Sequence, residues 1–328
     1  LPTIQRQLHL TVSGLHWVVN AYLMTLAVLL ILGGNLGDRL GKRNVFIAGV
    51  SIFALSSLIS AMAPTGTVLI LARGLQGVGG ALLLPNYTAI TMSIFPDNMR
   101  GKVMGTLISF TSIFLILGPF VGGVLTQYAS WRYVFWLNLP VAIASISMML
   151  KYGPKFKKNS AKKIDWLGFL LLAISIFGLV FGLMQGSVDG WLSYTIITSF
   201  VAAIVFFILF IQRESKHDNP FVQLALFRNH IFNRAIIIYA GTQMVFIINV
   251  FLAVYMQHIL GLSPVVAGLL SIVSLMPVML ISRFAGGMRD RYGPRLPMKL
   301  GLMFLFLGNL WLACTLWTYN IYIIFPGT

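Results

Sequence analysis

Apolar residues run through this chain in long blocks broken by short charged punctuation. Residues 17–37, 74–96, 103–131, 133–150, 166–188, 190–212 and 300–328 contain no Asp, Glu, Lys or Arg. A helix needs about 20 apolar residues to cross the hydrocarbon of a bilayer, and a backbone in lipid must satisfy its own hydrogen bonds. Reading helices between the charged breaks predicts ten spans, at 16–37, 44–62, 67–94, 102–126, 132–150, 165–185, 192–212, 233–258, 265–287 and 299–318. The fold class that follows is an all-α polytopic membrane protein.

Composition agrees with the pattern. The chain is 58% hydrophobic and 9% charged, against roughly 25% charged in soluble domains, and a soluble protein could not hide so many apolar side chains. The net charge of +16 raises nucleic acid as a partner, but its distribution argues otherwise. All but Arg6, Arg73, Arg132 and Arg283 of the 23 basic residues lie at 39–43, 100–102, 151–163, 213–234 and 289–299, after every second span. That is the positive-inside pattern, which makes the basic side cytoplasmic. Aromatics do not interleave with the basic runs, so nucleic-acid binding is not expected. The lysine-rich connector 151–163 reads as a solvated loop attracted to anionic headgroups. Cys314 is the only cysteine, which excludes an intrachain disulfide or a cysteine metal site. No nucleophile–base pair or metal cluster can be assembled, so neither catalysis nor a metal is expected.

One run repeats. "GNLGDRLGKR" at 34–43 returns as "GGMRDRYGPR" at 286–295, with Gly34, Asp38, Arg39, Gly41 and Arg43 matching Gly286, Asp290, Arg291, Gly293 and Arg295. A phosphate-binding loop is excluded by spacing, because Leu36 stands where the first glycine belongs and Arg43 where Ser or Thr belongs. Parallel repeats of helical bundles are instead a mark of transporters. Gly33, Gly37 and Gly41 recur every four residues, which lets another helix approach closely. Asp38 can accept hydrogen bonds from an arginine or a helix N-terminus. The plain alternative is a tight turn whose charges only fix orientation.

These residues resemble the loop joining helices 2 and 3 of the major facilitator superfamily, G-x-L-a-D-r-x-G-r-k. Three other stretches resemble the same superfamily. "RGLQGVGGA" at 73–81 is similar to its helix-4 motif and implies a role for Arg73 in proton transfer; the alternative is an arginine snorkelling to the interface. "GTLISFTSIFLILGPFVGG" at 105–123 resembles the helix-5 antiporter motif through Gly105, Gly118, Pro119, Gly122 and Gly123, with Phe114 where the motif has its middle glycine. Gly118 and Gly122 form a small-xxx-small face, and Pro119 removes the bond to the carbonyl of Leu115, so a bent and tightly packed helix is expected. "WRYVFWLNLP" at 131–140 is similar to the stretch opening helix 6 in fourteen-helix drug:proton antiporters. Trp131 and Tyr133 also suit interfacial anchors.

The resemblance implies a major facilitator fold holding about ten of fourteen helices, truncated at both ends. The expected organisation is an N-terminal half at 1–150 without helix 1, a basic loop and two linker helices at 151–212, and the start of a C-terminal half at 213–328. It implies efflux of lipophilic or cationic small molecules, driven by protons and by alternating access, in a bacterial inner membrane and without a bound cofactor. Asp38, Arg39, Arg43 and Arg100 would gate the first repeat, and Asp290 with Arg291 the second. Helical faces carrying Asn20 and Met24, and Tyr239, Thr242, Gln243, Phe246 and Asn249, suit a cavity for such cations; packing between helices explains them equally. A monomer is expected. The alternatives are an uptake symporter of the same fold, and a binding component or inactive fragment that does not transport.

Overall fold

A computed structural model describes residues 2–156, 164–217, 220–261 and 264–318, apart from some side chains within the helices. Those of Pro119, Gly123, Phe246 and Asn249 fall outside the described set. Twelve α-helices are present among the described residues, and no strand. They are α1 (Pro2–Gln7), α2 (Val12–Leu40), α3 (Lys42–Ala61), α4 (Gly66–Ile94), α5 (Arg100–Tyr128), α6 (Arg132–Trp136), α7 (Asn138–Tyr152), α8 (Trp166–Asp189), α9 (Tyr194–Glu214), α10 (His230–His258), α11 (Pro264–Tyr292) and α12 (Arg295–Thr315).

Each of the ten predicted spans meets a helix, usually extended by a few residues at one or both ends. The span at 132–150 is divided at Leu137, between α6 and α7. Pro140 explains the break, since it has no N–H to offer the carbonyl of Trp136. Among the described residues, seven stretches are long and apolar enough to cross a membrane: Ser13–Leu40, Lys42–Ala61, Gly66–Ile94, Arg132–Tyr152, Trp166–Asp189, Tyr194–Glu214 and Arg295–Thr315. Helices α5, α10 and α11 each run 29 residues. Large apolar side chains face outward along these helices, Leu71 at 69% and Phe110 at 58% exposure among them. Lipid rather than water is the solvent such a surface fits.

The chain divides into two units. The first holds Leu1–Ile94 and Leu125–Arg228, and here α2 and α3 lie along α4, with α8 paired to α9. Small residues make the pairing close. A Cβ added at Gly79 would lie 2.6 Å from the backbone nitrogen of Phe53, and one at Gly178 would lie 2.7 Å from the Ser199 carbonyl. A buried cluster of Ile4, Val18, Ala63, Leu69 and Trp131 closes one end of this unit. Trp131 is only 2% exposed and its indole N–H donates to Gln7 Oε1 at 2.8 Å, so it is a core anchor rather than an interfacial one. The second unit holds Phe95–Val124 and Asn229–Thr328.

Candidate functional site

The two repeated turns share a backbone signature. Gly41 has φ of +91° between α2 and α3, and Gly293 has φ of +79° between α11 and α12. A side chain is strained there, which explains glycine at the same place in both copies. Beyond that, the copies differ in what holds their aspartate.

In the second copy, Asp290 accepts the backbone N–H of Gly101 at 2.9 Å and of Lys102 at 2.7 Å. These are free donors of the first turn of α5, where the helix dipole favours an anion. Arg289 Nη1 lies 3.0 Å from the same carboxylate, whose side chain is 8% exposed. Burial works against the charged form, yet the two N–H bonds and Arg289 outweigh it and hold the carboxyl below its ordinary range. Glycines allow the approach: a Cβ at Gly286 would strike the Gly101 carbonyl, and one at Gly105 the Ser282 carbonyl. Arg291, the other residue expected here, is exposed.

In the first copy, Asp38 is 72% exposed and pairs with Lys42 at 3.5 Å. Arg43 donates to the carbonyls of Met149 at 3.1 Å and Leu150 at 2.6 Å, tying the turn to the end of α7. Arg39 Nε is buried without a hydrogen-bond partner among the described residues. Arg100, expected to gate the first repeat with Asp38, pairs with Asp97 and donates to the Phe95 carbonyl at 3.2 Å. The expected glycine face lies on α4: Gly33 abuts the Ala81 carbonyl and Gly37 abuts Asn86. Asn86, fully buried, donates to the Gly33 carbonyl at 2.9 Å and the Leu82 carbonyl at 2.7 Å. It satisfies two acceptors in the tightest part of the interface, a residue the motifs did not single out.

Arg73 does not snorkel to the surface. Its Nε donates to the Val18 carbonyl at 2.9 Å, its guanidinium lies 4.5 Å from the centre of the Tyr22 ring, and Nη1 donates to Gln76. Gln76 passes the chain on to Ser57 Oγ at 2.7 Å, which also accepts from Asn138 at 3.2 Å. Four helices thereby share one polar network. Among the described residues Arg73 forms no ion pair, so its charge is met by neutral groups and an aromatic face. The face shared with Gly77 and Gly80 lies against Tyr22, Thr25 and Leu26 of α2.

The α5 motif divides. Gly105 meets α11, whereas among the described residues no atom lies within 4 Å of a Cβ built at Gly118. Close packing through glycine is described at Gly101 and Gly105, where α11 crosses α5. Phe114 is 73% exposed and fills no notch. The bend expected at Pro119, and Gly123, lie outside the described side chains.

The cavity candidates differ in exposure. Met24 is buried and Asn20 half-buried on α2, while Tyr239 and Gln243 are exposed on α10. Thr242 donates to the carbonyl of Tyr239 at 2.7 Å, and Phe246 and Asn249 fall outside the described side chains.

A cluster missed by motif reading joins α8 to α9. Arg213 Nε and Nη2 grip the Asp165 carboxylate at 2.7–3.1 Å, and Asp165 caps α8 through the Gly168 N–H at 3.0 Å. The hydrogen bonds from Arg213, aided by the cap, hold Asp165 below the usual carboxylate range despite burial. An aspartate just before an apolar run is the sequence signal that could have found it.

Comparison with known proteins adds the lineage. A family model described as the Major Facilitator Superfamily matches residues 1–327. The chain is 32% identical over 322 residues to the multidrug resistance protein Stp of Mycobacterium tuberculosis, covering 95% of this chain and 58% of that protein. It is 32% identical over 318 residues to the tetracenomycin C resistance and export protein of Streptomyces glaucescens, covering 96% and 59%. A methylenomycin A resistance protein of Bacillus subtilis is 31% identical over 280 residues, covering 85% and 59%. The chain thus spans about three fifths of the length of the curated relatives it matches. With its helical build, its repeated Gly-Asp-Arg turns and a match over almost its whole length, the chain belongs to the major facilitator superfamily.

Proposed function

We propose that this chain forms the greater part of an exporter that exchanges protons for lipophilic, often cationic, compounds in a bacterial inner membrane, with its basic loops cytoplasmic. The observation that carries the reading is Asp290 on the N-terminal end of α5, joining segments 189 residues apart. A carboxylate bound to backbone N–H groups through paired glycines is a contact that can be made in one conformation and broken in the other. Asp38, in the same turn with the same positive-φ glycine, is the equivalent latch with its carboxylate exposed. Arg39, Arg43, Arg100 and Arg291 would complete the two gates.

Arg73 would assist coupling, since a cation balanced only by neutral groups responds to a charge arriving nearby. Gly118, Pro119, Gly122 and Gly123 would shape the helix on the exporter side of the motif. The names of the relatives, which speak of multidrug resistance and of antibiotic export, support efflux as the direction. Such exchange uses the proton gradient and calls for no bound cofactor. Energised cells expressing the full reading frame should expel a cationic dye and stop when an uncoupler collapses the gradient. Dye accumulation, or efflux indifferent to the uncoupler, would favour a symporter or another energy source.

A further inference from the structure

Glu214 closes α9 and is 4% exposed. Its Oε1 accepts the backbone N–H of Phe221 at 2.9 Å and of Val222 at 3.3 Å. Its Oε2 is buried and has no hydrogen-bond partner among the described residues. Asp165 lies beside it across Gly168, where a Cβ would meet Asp165 Oδ2 at 2.6 Å and Glu214 Oε1 at 3.3 Å. Arg213 spends its hydrogen bonds on Asp165, and His217 Nε2 stands 4.0 Å from the same residue.

Among the described residues the charges facing Glu214 are thus Asp165 from the cap of α8, Arg213 from α9 and His217 from the turn beyond. The segment at 221–222 presents only backbone N–H groups, and α2 approaches that segment with a neutral amide, Asn35. Two buried carboxyls share one arginine that is committed to the first. A buried anion beside a like charge, with one oxygen lacking a donor, is stabilised by taking up a proton.

The proton would be felt elsewhere. Phe221 sits in a core with Leu172 and Phe210, against which Leu32 of α2 is packed. Its carbonyl accepts from Asn35 Nδ2 at 3.2 Å, three residues before Asp38. A neutral carboxyl is a weaker acceptor than a carboxylate, so protonation loosens the hold on Phe221 and Val222. We propose that Glu214 is a proton-binding site whose occupancy sets how firmly the 221–222 segment ties the α8–α9 pair to α2 at Asn35. The site does not depend on the export reading, and its test measures no transport.

Glu214 is the sole glutamate in the 328 residues, so side-chain isotope labelling of glutamate in the full reading frame, with the spectrum of Glu214→Gln subtracted, isolates its carboxyl. Infrared spectra of the labelled protein in lipid nanodiscs should show its protonated C=O band persisting above the ordinary glutamate value of about 4.3. Amide exchange at Phe221 and Val222, corrected for intrinsic chemistry, should quicken as that band grows. In Glu214→Gln it should stay fast at every pH. A labelled carboxyl that ionises at or below that value overturns the proposal, as does a band that titrates while exchange at both amides stays unchanged.

Discussion

The carboxylate of Asp290 accepts the backbone N–H of Gly101 at 2.9 Å, across 189 residues of chain. Gly286 and Gly101 make that reach possible by letting two backbones touch. The bond is stronger than a neutral one because its acceptor is charged and its donor is the open end of a helix. If this contact is a latch, Asp290→Asn weakens it while keeping shape and one acceptor oxygen. Dye efflux by the full reading frame should fall in Asp290→Asn and in Asp38→Asn, with protein levels in the membrane unchanged. Undiminished efflux in both would remove the gate assignment.

The glycines of α5 should not be equivalent. Gly105→Leu drives a side chain into the Ser282 carbonyl of α11, and overpacking of this kind costs about 1–3 kcal/mol. Gly118→Leu meets no described atom within 4 Å and should stay within about 0.5 kcal/mol of the parent. Thermal unfolding in a mild detergent separates the two; a Gly118 variant as damaged as the Gly105 variant would contradict the helix contact described here.

Gln76 is the bridge between Arg73 and Ser57, and it is 1% exposed. Gln76→Leu keeps its bulk but leaves a guanidinium N–H without its acceptor, at a cost of about 1–3 kcal/mol. Gln76→Glu supplies a charged acceptor and should retain stability while altering the pH profile of transport. Equal stability in the Leu variant would mean that Arg73 finds its acceptors elsewhere.

Acid should undo the α8–α9 clasp. Arg213 lowers the Asp165 carboxyl from its ordinary value, so the stabilisation is complete above about pH 3.9. It is lost as pH falls further, through the depressed native value. The melting temperature of the wild type should therefore drop on acidification in that window, whereas Asp165→Asn should be less stable at neutral pH and show a smaller drop. A parallel fall in both proteins would assign the acid sensitivity to other groups.

Much of this was legible in the sequence for physical reasons. Charge cannot stay in lipid without compensation, so charged breaks marked the helix ends, and a positive φ needs glycine, so Gly41 and Gly293 marked the turns. Asp290's partner left no such trace, because it is a pair of backbone N–H groups that every residue but proline carries. Arg213 read only as one of the basic charges that follow a span, and only folding brings it to Asp165, 48 residues away. Trp131 read as an anchor because aromatic residues at span ends usually are, yet its contacts with Gln7 and the Leu69 cluster bury it. At Gly101 and Gly105 small residues seat α11, and glycine spacing alone, at these positions or at Gly118 and Gly122, does not say which helix will approach.

The contact between Asp290 and α5 can be measured directly. Cys314, exposed on α12, is replaced by serine, and spin labels are placed at Asn98 and Tyr292, both exposed on either side of the latch. Distances are then recorded by pulsed electron resonance on the full reading frame in lipid nanodiscs, with and without a cationic substrate at acidic and neutral pH. The latch reading predicts two distance populations, the shorter one dominant in one condition, and a shift toward the longer one in Asp290→Asn. A single distance that ignores pH, substrate and the substitution would contradict it.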